Sequence, residues 1–171
     1  MARYNPRQER SLKRHSNYRD IKQSFLIICE GVNTEPDYFK IHLGLNDMHL
    51  ALKMKFMFQL LADGSVDKWT DIISKKGIKF GFGGLASLDG GAIPGRMILK
   101  EHYRVGSQMV IVSRAFCNTD KMTDMNEVRK IFTNGIAAIR ELESEMTAMS
   151  QEDFINNHKA VCEAVDKIVK G

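Results

Sequence analysis

Two uninterrupted apolar runs of strand length, Phe25–Cys29 and Met109–Val112, constrain this fold most. Runs without polar alternation suit strands buried on both faces, as in parallel sheets. Parallel neighbours need crossover connections, and segments with helical spacing stand between the strand-like runs. Thr34, Pro36 and Asp37 form a helix-start pattern, followed by apolar residues at 38, 41, 45, 48 and 52. From Leu52 to Phe58 the period changes to two, which predicts a strand with one wet face. Asp63, Gly64 and Ser65 predict a turn, Ser65 a cap, and a helix runs to about Lys76, where Gly77 ends it.

Ile78–Phe80 reads as a short strand entering a glycine-rich loop that extends to Pro94. Seven of the thirteen glycines fall between residues 77 and 95. A helix is expected from about Pro94 to Val105, then the Met109–Val112 strand. Two helical segments follow. The first carries Met125, Val128, Phe132, Ile139, Leu142 and Met146, with an interruption at Asn134 and Gly135. The second starts at Ser150, has Asp153 at the capping-box position, and places Phe154, His158, Val161, Val165 and Ile168 on its buried face. The fold class expected is α/β: a small parallel or mixed sheet flanked by helices, four-stranded if Phe25–Cys29 and Leu52–Phe58 both join it, with a helical C-terminal segment.

With 171 residues, 43% hydrophobic and 27% charged, the chain has room for one domain with an arm. Charge divides it there. Residues 1–23 carry seven cations, Arg3, Arg7, Arg10, Lys13, Arg14, Arg19 and Lys22, against Glu9 and Asp20. That is a net +5 in a chain of +4, so residues 24–171 come to −1. Two readings of this basic, disordered arm stand side by side: it binds the phosphate backbone of DNA or RNA, or it is a solvated tail. Residues 24–171 are expected to form a single α/β domain. The apolar runs are far too short for a membrane span, and the N-terminus lacks the apolar core of a secretory signal. Three scattered cysteines, Cys29, Cys117 and Cys162, read as reduced thiols, so a cytoplasmic protein without membrane contact is expected.

Residues Phe25 to Lys40, with Glu30-Gly31 closing the strand and Thr34-Glu35-Pro36 opening the next element, resemble the start of RloB-family proteins. These belong to bacterial restriction and phage-defence loci and have a Toprim-like fold. The resemblance covers about residues 9–40 within a part running from 24 to 62. It implies an acid–base role for Glu30, and Mg²⁺ as cofactor if the rest of the family's site were present. That site's Asp-x-Asp occurs nowhere in the chain. The alternating Glu141, Glu143 and Glu145 fall on a helical segment, which scatters them around its axis. Glu30 alone cannot supply the converging oxygens of a hard cation, and Glu30-Gly31 also reads as a tight strand exit. No other cofactor and no metal site is expected.

The stretch from Asp63 to Asn118, with Lys79–Pro94, Glu101–Ser107 and Val110–Asn118 as its cores, is similar to the C-terminal end of HpcH/HpaI aldolase/citrate-lyase barrels. Residues 63–171 would then be a barrel-end-like part lacking the catalytic strands, and two strands cannot close a barrel. Such a mosaic is what a gene fusion, a truncated reading frame or an artificial sequence produces. By this likeness Gly81, Gly83 and Gly84, with Lys79 and Arg114 at strand ends, form a phosphate cradle; the same glycines also suit a close-packed strand exit. Glu101 and Arg104 are expected to pair on a helix surface. No nucleophilic triad and no zinc spacing is apparent.

The function expected is a defence-associated, RloB-like binding protein for nucleic acid or a protein partner, without catalysis of its own. The alternatives are a Toprim-type nuclease or barrel-lyase enzyme remnant, and an antitoxin-like inhibitor of a toxin or defence-system protein. A methionine stripe of Met122, Met125, Met146 and Met149 is expected near the periphery, where it would favour a homo-oligomer.

Overall fold

A computed structural model describes residues 40–118, 121–122 and 124–171. The elements run β1 (Lys40–Leu43), α1 (Leu45–Ala51), α2 (Gln59–Ala62), α3 (Ser65–Ser74), β2 (Lys79–Leu85), α4 (Gly95–Arg104), β3 (Met109–Val112), α5 (Met125–Met146) and α6 (Gln151–Lys170). The architecture is α/β. Among the described residues the sheet has three strands in the order β1-β2-β3, with both pairings parallel. Ile41 and Leu43 stand beside Phe80 and Phe82, and Gly81 pairs with Met109. The register slips between Gly81 and Gly84, where Gly83 takes a φ of 54°.

Leu43, Phe80, Phe82 and Leu85 face the buried core, together with Leu45, Leu60, Leu61, Val66, Ile98 and Leu99 from the helices. Helices α1, α3 and α4 lie against β2, and α6 packs across α2 and α4. The core is therefore a sheet, a helical layer and an outer helix. Burial on that layer explains why α6 turns Val161 and Val165 inward, while Phe154 and His158 are half-buried and Ile168 is exposed. Its capping box forms as the spacing predicts: Ser150 Oγ accepts from the Asp153 amide, and Asp153 accepts from the Ser150 amide.

Several elements differ from the sequence expectation. The helix expected beyond Thr34 is not continuous through its apolar face, because among the described residues Lys40–Leu43 is β1 and Leu45–Ala51 is helical. Ile41, Leu43 and Leu45 satisfy a two-residue period as well as a helical one, and pairing with β2 decides between them. The strand expected over Leu52–Phe58 is a turn region entering α2. Lys53 has a left-handed φ of 56°, which breaks the extended run, and Leu52 is exposed. The alternation nonetheless buries Phe58, with Phe56 edge-on to it at 5.4 Å.

Gly81, Gly83 and Gly84, expected in a loop, lie inside β2, whereas Gly90 and Gly91 lie in the turn region after it. Gly64, not Ser65, is the N-cap of α3, with Asp63 Oδ1 accepting from the Ser65 amide. Helix α5 runs unbroken through Asn134 and Gly135, and the bare Cα of Gly135 leaves room for the Phe116 ring. Of the methionine stripe, Met146 is buried, Met122 and Met149 are half-buried, and Met125 alone is exposed. The Phe25–Cys29 strand, the Thr34 cap and the arm lie outside the described residues. No helix among the described residues is long and apolar enough to cross a membrane.

Candidate functional site

Functional side chains of parallel sheets gather at the carboxyl ends of the strands. There, after β2, the chain makes a turn whose carbonyls cap α4. The Gly95 amide donates to Ser87 O and Gly90 O, and the Arg96 amide donates to Leu88 O. These are the donors an anion would use at a helix start, and they are occupied. Arg96 itself grips Asp89, with Nε 2.9 Å from Oδ1. Beside this turn runs an open groove of about 450 Å³, whose polar lining includes Asp89, Arg96, Asn134, Glu141 and Glu145. Three carboxylates against one guanidinium make it a poor seat for phosphate.

The structure separates the residues that a phosphate cradle would bring together. Arg114 follows the carboxyl end of β3, whereas Lys79 opens β2 at the other end, about 20 Å away along seven residues. Gly81 is buried, and a Cβ there would stand 2.3 Å from the Met109 carbonyl oxygen. A Cβ on Gly84 would meet Ser113 Cβ at 3.0 Å, and Gly83 O accepts a hydrogen bond from His42 Nε2 at 2.9 Å. These glycines let strands approach closely.

Cations collect at the amino end of the sheet instead. Lys40 and Lys79 are register partners on adjacent strands, about 4.8 Å apart, and both are exposed. Lys75 and Lys76, exposed after the last turn of α3, lie four and three residues before Lys79. Lys75 pairs with Asp71. Among the described residues Lys40, Lys76 and Lys79 form no ion pair.

The densest polar chemistry lies where α3, α4 and α6 meet. Glu101, expected on a surface, is completely buried. Its Oε2 accepts from Arg104 Nε at 2.8 Å and from His158 Nδ1 at 2.8 Å, and Oε1 accepts from Asn157 Nδ2 at 2.9 Å. Arg104 extends the network by a two-pronged bond to Asp67, at 2.5 and 3.0 Å. Burial opposes the Arg104 charge, but hydrogen bonds and charge from Asp67 and Glu101 outweigh it and hold the guanidinium above its ordinary value. Burial pushes the Asp67 carboxyl up, and Arg104 more than reverses this, leaving it below its usual range. The other ring nitrogen of His158 is 3.6 Å from Cys162 Sγ. Burial, then the Glu101 charge, raise the Cys162 thiol above its ordinary value.

His102 is the second buried polar group of α4. Its ring stacks on Phe82 at 3.8 Å with planes 3° apart, and Nδ1 is 2.8 Å from Ser107 Oγ. Nε2 is buried without a hydrogen-bond partner among the described residues. Burial, with His42 nearby, depresses its pKa from 6.5 to about 3, so the ring is neutral.

Among the described residues no three His, Cys, Asp or Glu side chains are placed to hold a metal ion. Glu30 and the arm residues Arg3, Arg7, Arg10, Lys13, Arg14, Arg19 and Lys22 lie outside the described residues. The fold and the α3–α4–α6 network define a helix-covered parallel α/β protein. Comparison with protein-family models, curated proteins and solved structures finds no match. Sequence reasoning missed the network because its members lie up to 95 residues apart (Asp67 to Cys162) and meet only through the packing of α6 on α4. Two local signals were present: the i,i+3 pair Glu101 and Arg104, which forms as expected but buried rather than on the surface, and His158 four residues before Cys162, a spacing that places both on one helix face.

Proposed function

We propose that the chain is a nucleic-acid-backbone binding protein of the RloB-like, defence-associated kind, acting by attachment rather than by cleavage. The observation that carries this reading is the pair of exposed, register-matched lysines Lys40 and Lys79, with Lys76 beside them. Like charges on neighbouring strands destabilise a sheet unless an anion relieves them. A polyphosphate backbone supplies such an anion along a line. Lys40 is also the last residue of the RloB-like segment, so in sequence the lysine edge continues the part of the chain that begins with the seven-cation arm. The groove after β2 is acidic and favours no phosphate, which turns the reading toward the other end of the sheet. Cleavage is not assigned, because Glu30 has no Asp-x-Asp partner in the sequence.

The test is the salt dependence of binding to duplex DNA and to single-stranded RNA. If about five arm cations reach phosphates, the log–log slope on duplex DNA is about −4 to −5. Removing residues 1–23 abolishes most of that slope. Alanine at Lys40, Lys76 and Lys79 together removes the smaller remainder of the slope, with the nucleic acid left intact in Mg²⁺. Equal binding by the arm deletion and the triple variant would sink the proposal. Cleavage that disappears in Glu30→Gln would replace it with the nuclease.

A further inference from the structure

We infer that Cys162, His158 and Glu101 form a thiol relay, and that Cys162 is a site of covalent capture by low-molecular-weight disulfides. Its geometry is that of an assisted nucleophile: a base within reach of the thiol, and a third group orienting the base. The Glu101 carboxylate oxygens only accept hydrogen bonds, so Nδ1 of His158 is the nitrogen that donates, at 2.8 Å. In the neutral ring that leaves the Nε2 lone pair facing Cys162 Sγ at 3.6 Å. Glu101 is fixed in turn by Arg104 and Asn157, and Arg104 by Asp67, so the imidazole is held from behind by a network that is rigid at its buried end. The front is open, since Cys162 is only half-buried and the His158 side chain is 27% exposed.

The charges facing the thiol are Asp67 on α3, Glu101 and Arg104 on α4, and Asp166 on α6 itself. Helix α2, the other element against α6, is Gln59–Ala62 and carries no titratable group. Three acids against one guanidinium oppose a resting thiolate, so the proton must leave as the bond forms, and His158 is placed to take it. In the step, Cys162 Sγ attacks one sulfur of a disulfide R–S–S–R while its proton passes to His158 Nε2. The S–S bond breaks, the leaving sulfur departs as thiolate, and His158 returns the proton to it. The products are the mixed disulfide Cys162–S–S–R and one R–SH. The protein thiol is oxidised and the departing sulfur reduced, so no other electron acceptor is required.

Attack at sulfur, unlike attack at a carbonyl, needs no oxyanion donors, and the amides around Cys162 are committed within α6. The surplus of carboxylates selects a cationic disulfide such as cystamine over an anionic one such as oxidised glutathione.

The experiment follows modification of the full chain by cystamine, 2-hydroxyethyl disulfide and oxidised glutathione, with peptide mapping to assign the cysteine. Cys162 should react first, and fastest with cystamine. Its rate at pH 7 should fall on the order of 10- to 100-fold in His158→Gln and recover only at strongly alkaline pH, because burial holds the thiol above its ordinary value. A His158→Gln profile superimposable on the wild type would overturn the relay, as would first modification at Cys29 or Cys117. Circular dichroism of the variant separates a lost relay from a lost fold. Reaction of Cys162 with oxidised glutathione as fast as with cystamine would overturn the cationic preference.

Discussion

Glu101 shows how completely one side chain can be committed. It takes donors from Arg104, Asn157 and His158 with none of its surface in water. Alanine there would leave a half-buried guanidinium, amide and imidazole each short of a partner. Breaking a buried charged network in this way costs about 3–5 kcal/mol, which for a chain of this size lowers Tm by roughly 10 °C. Thermal unfolding followed by circular dichroism checks it, and a shift of a degree or two would mean that water replaces the carboxylate.

His102 makes the complementary case of a buried group that must stay neutral. Its folded pKa of about 3 lies below the unfolded value of 6.5, so between those limits the unfolded chain binds a proton that the native chain refuses. Stability is full above about pH 6.5 and declines as pH falls toward 3, by up to ~1.4 kcal/mol per unit. His42, also lowered by burial, acts in the same direction. Urea unfolding at pH 7, 6 and 5 should show a shallower decline in His102→Gln than in the wild type. Equal slopes would assign the acid sensitivity to other groups.

At the scale of elements, β2 is the constraint. It is paired on both sides, and Gly81 brings it so near β3 that a methyl group would press on the Met109 backbone. Backbone cannot rotate aside as a side chain can. Gly81→Ala should therefore separate β2 from β3 and cost about 3 kcal/mol. A urea midpoint within error of the wild type would show that the sheet yields instead.

The same strand explains what the sequence revealed and what it concealed. Met109–Val112, Ser65–Ser74 and the Ser150 capping box were legible because each carries its own local signal: an apolar run, a turn with a glycine stop, a reciprocal cap. The run 81–84 was read as a loop because glycine carries no strand propensity, and only the close approach of two neighbours makes it a strand. Leu52–Phe58 failed in the opposite direction. Its alternation is real and buries Phe58, but the left-handed backbone at Lys53 breaks the extended run.

For the whole molecule, layering governs. The sheet and the helices α1 to α4 are complete in sequence by Val112, yet the helical layer is closed from outside by α6, which comes after every other element. The charge pattern follows the same division. Residues 40–171 carry a net +2, modest beside the +5 of the arm, and the exposed lysines of the amino end of the sheet lie far from the acidic groove after β2. None of this polarity is visible in the overall charge.

The position of α6 has a consequence for the birth of the protein. A ribosome delivers the chain from the amino end, so Glu101, Arg104 and Asp67 emerge long before Asn157 and His158. During that interval the carboxylate has its guanidinium but not its two later donors, and it cannot be closed off from water without them. Water is then the better partner, and the α3–α4 surface stays wet and unfinished. The nascent chain carries an internal checkpoint: α4 gains its dry environment only after α6 has left the exit tunnel and docked.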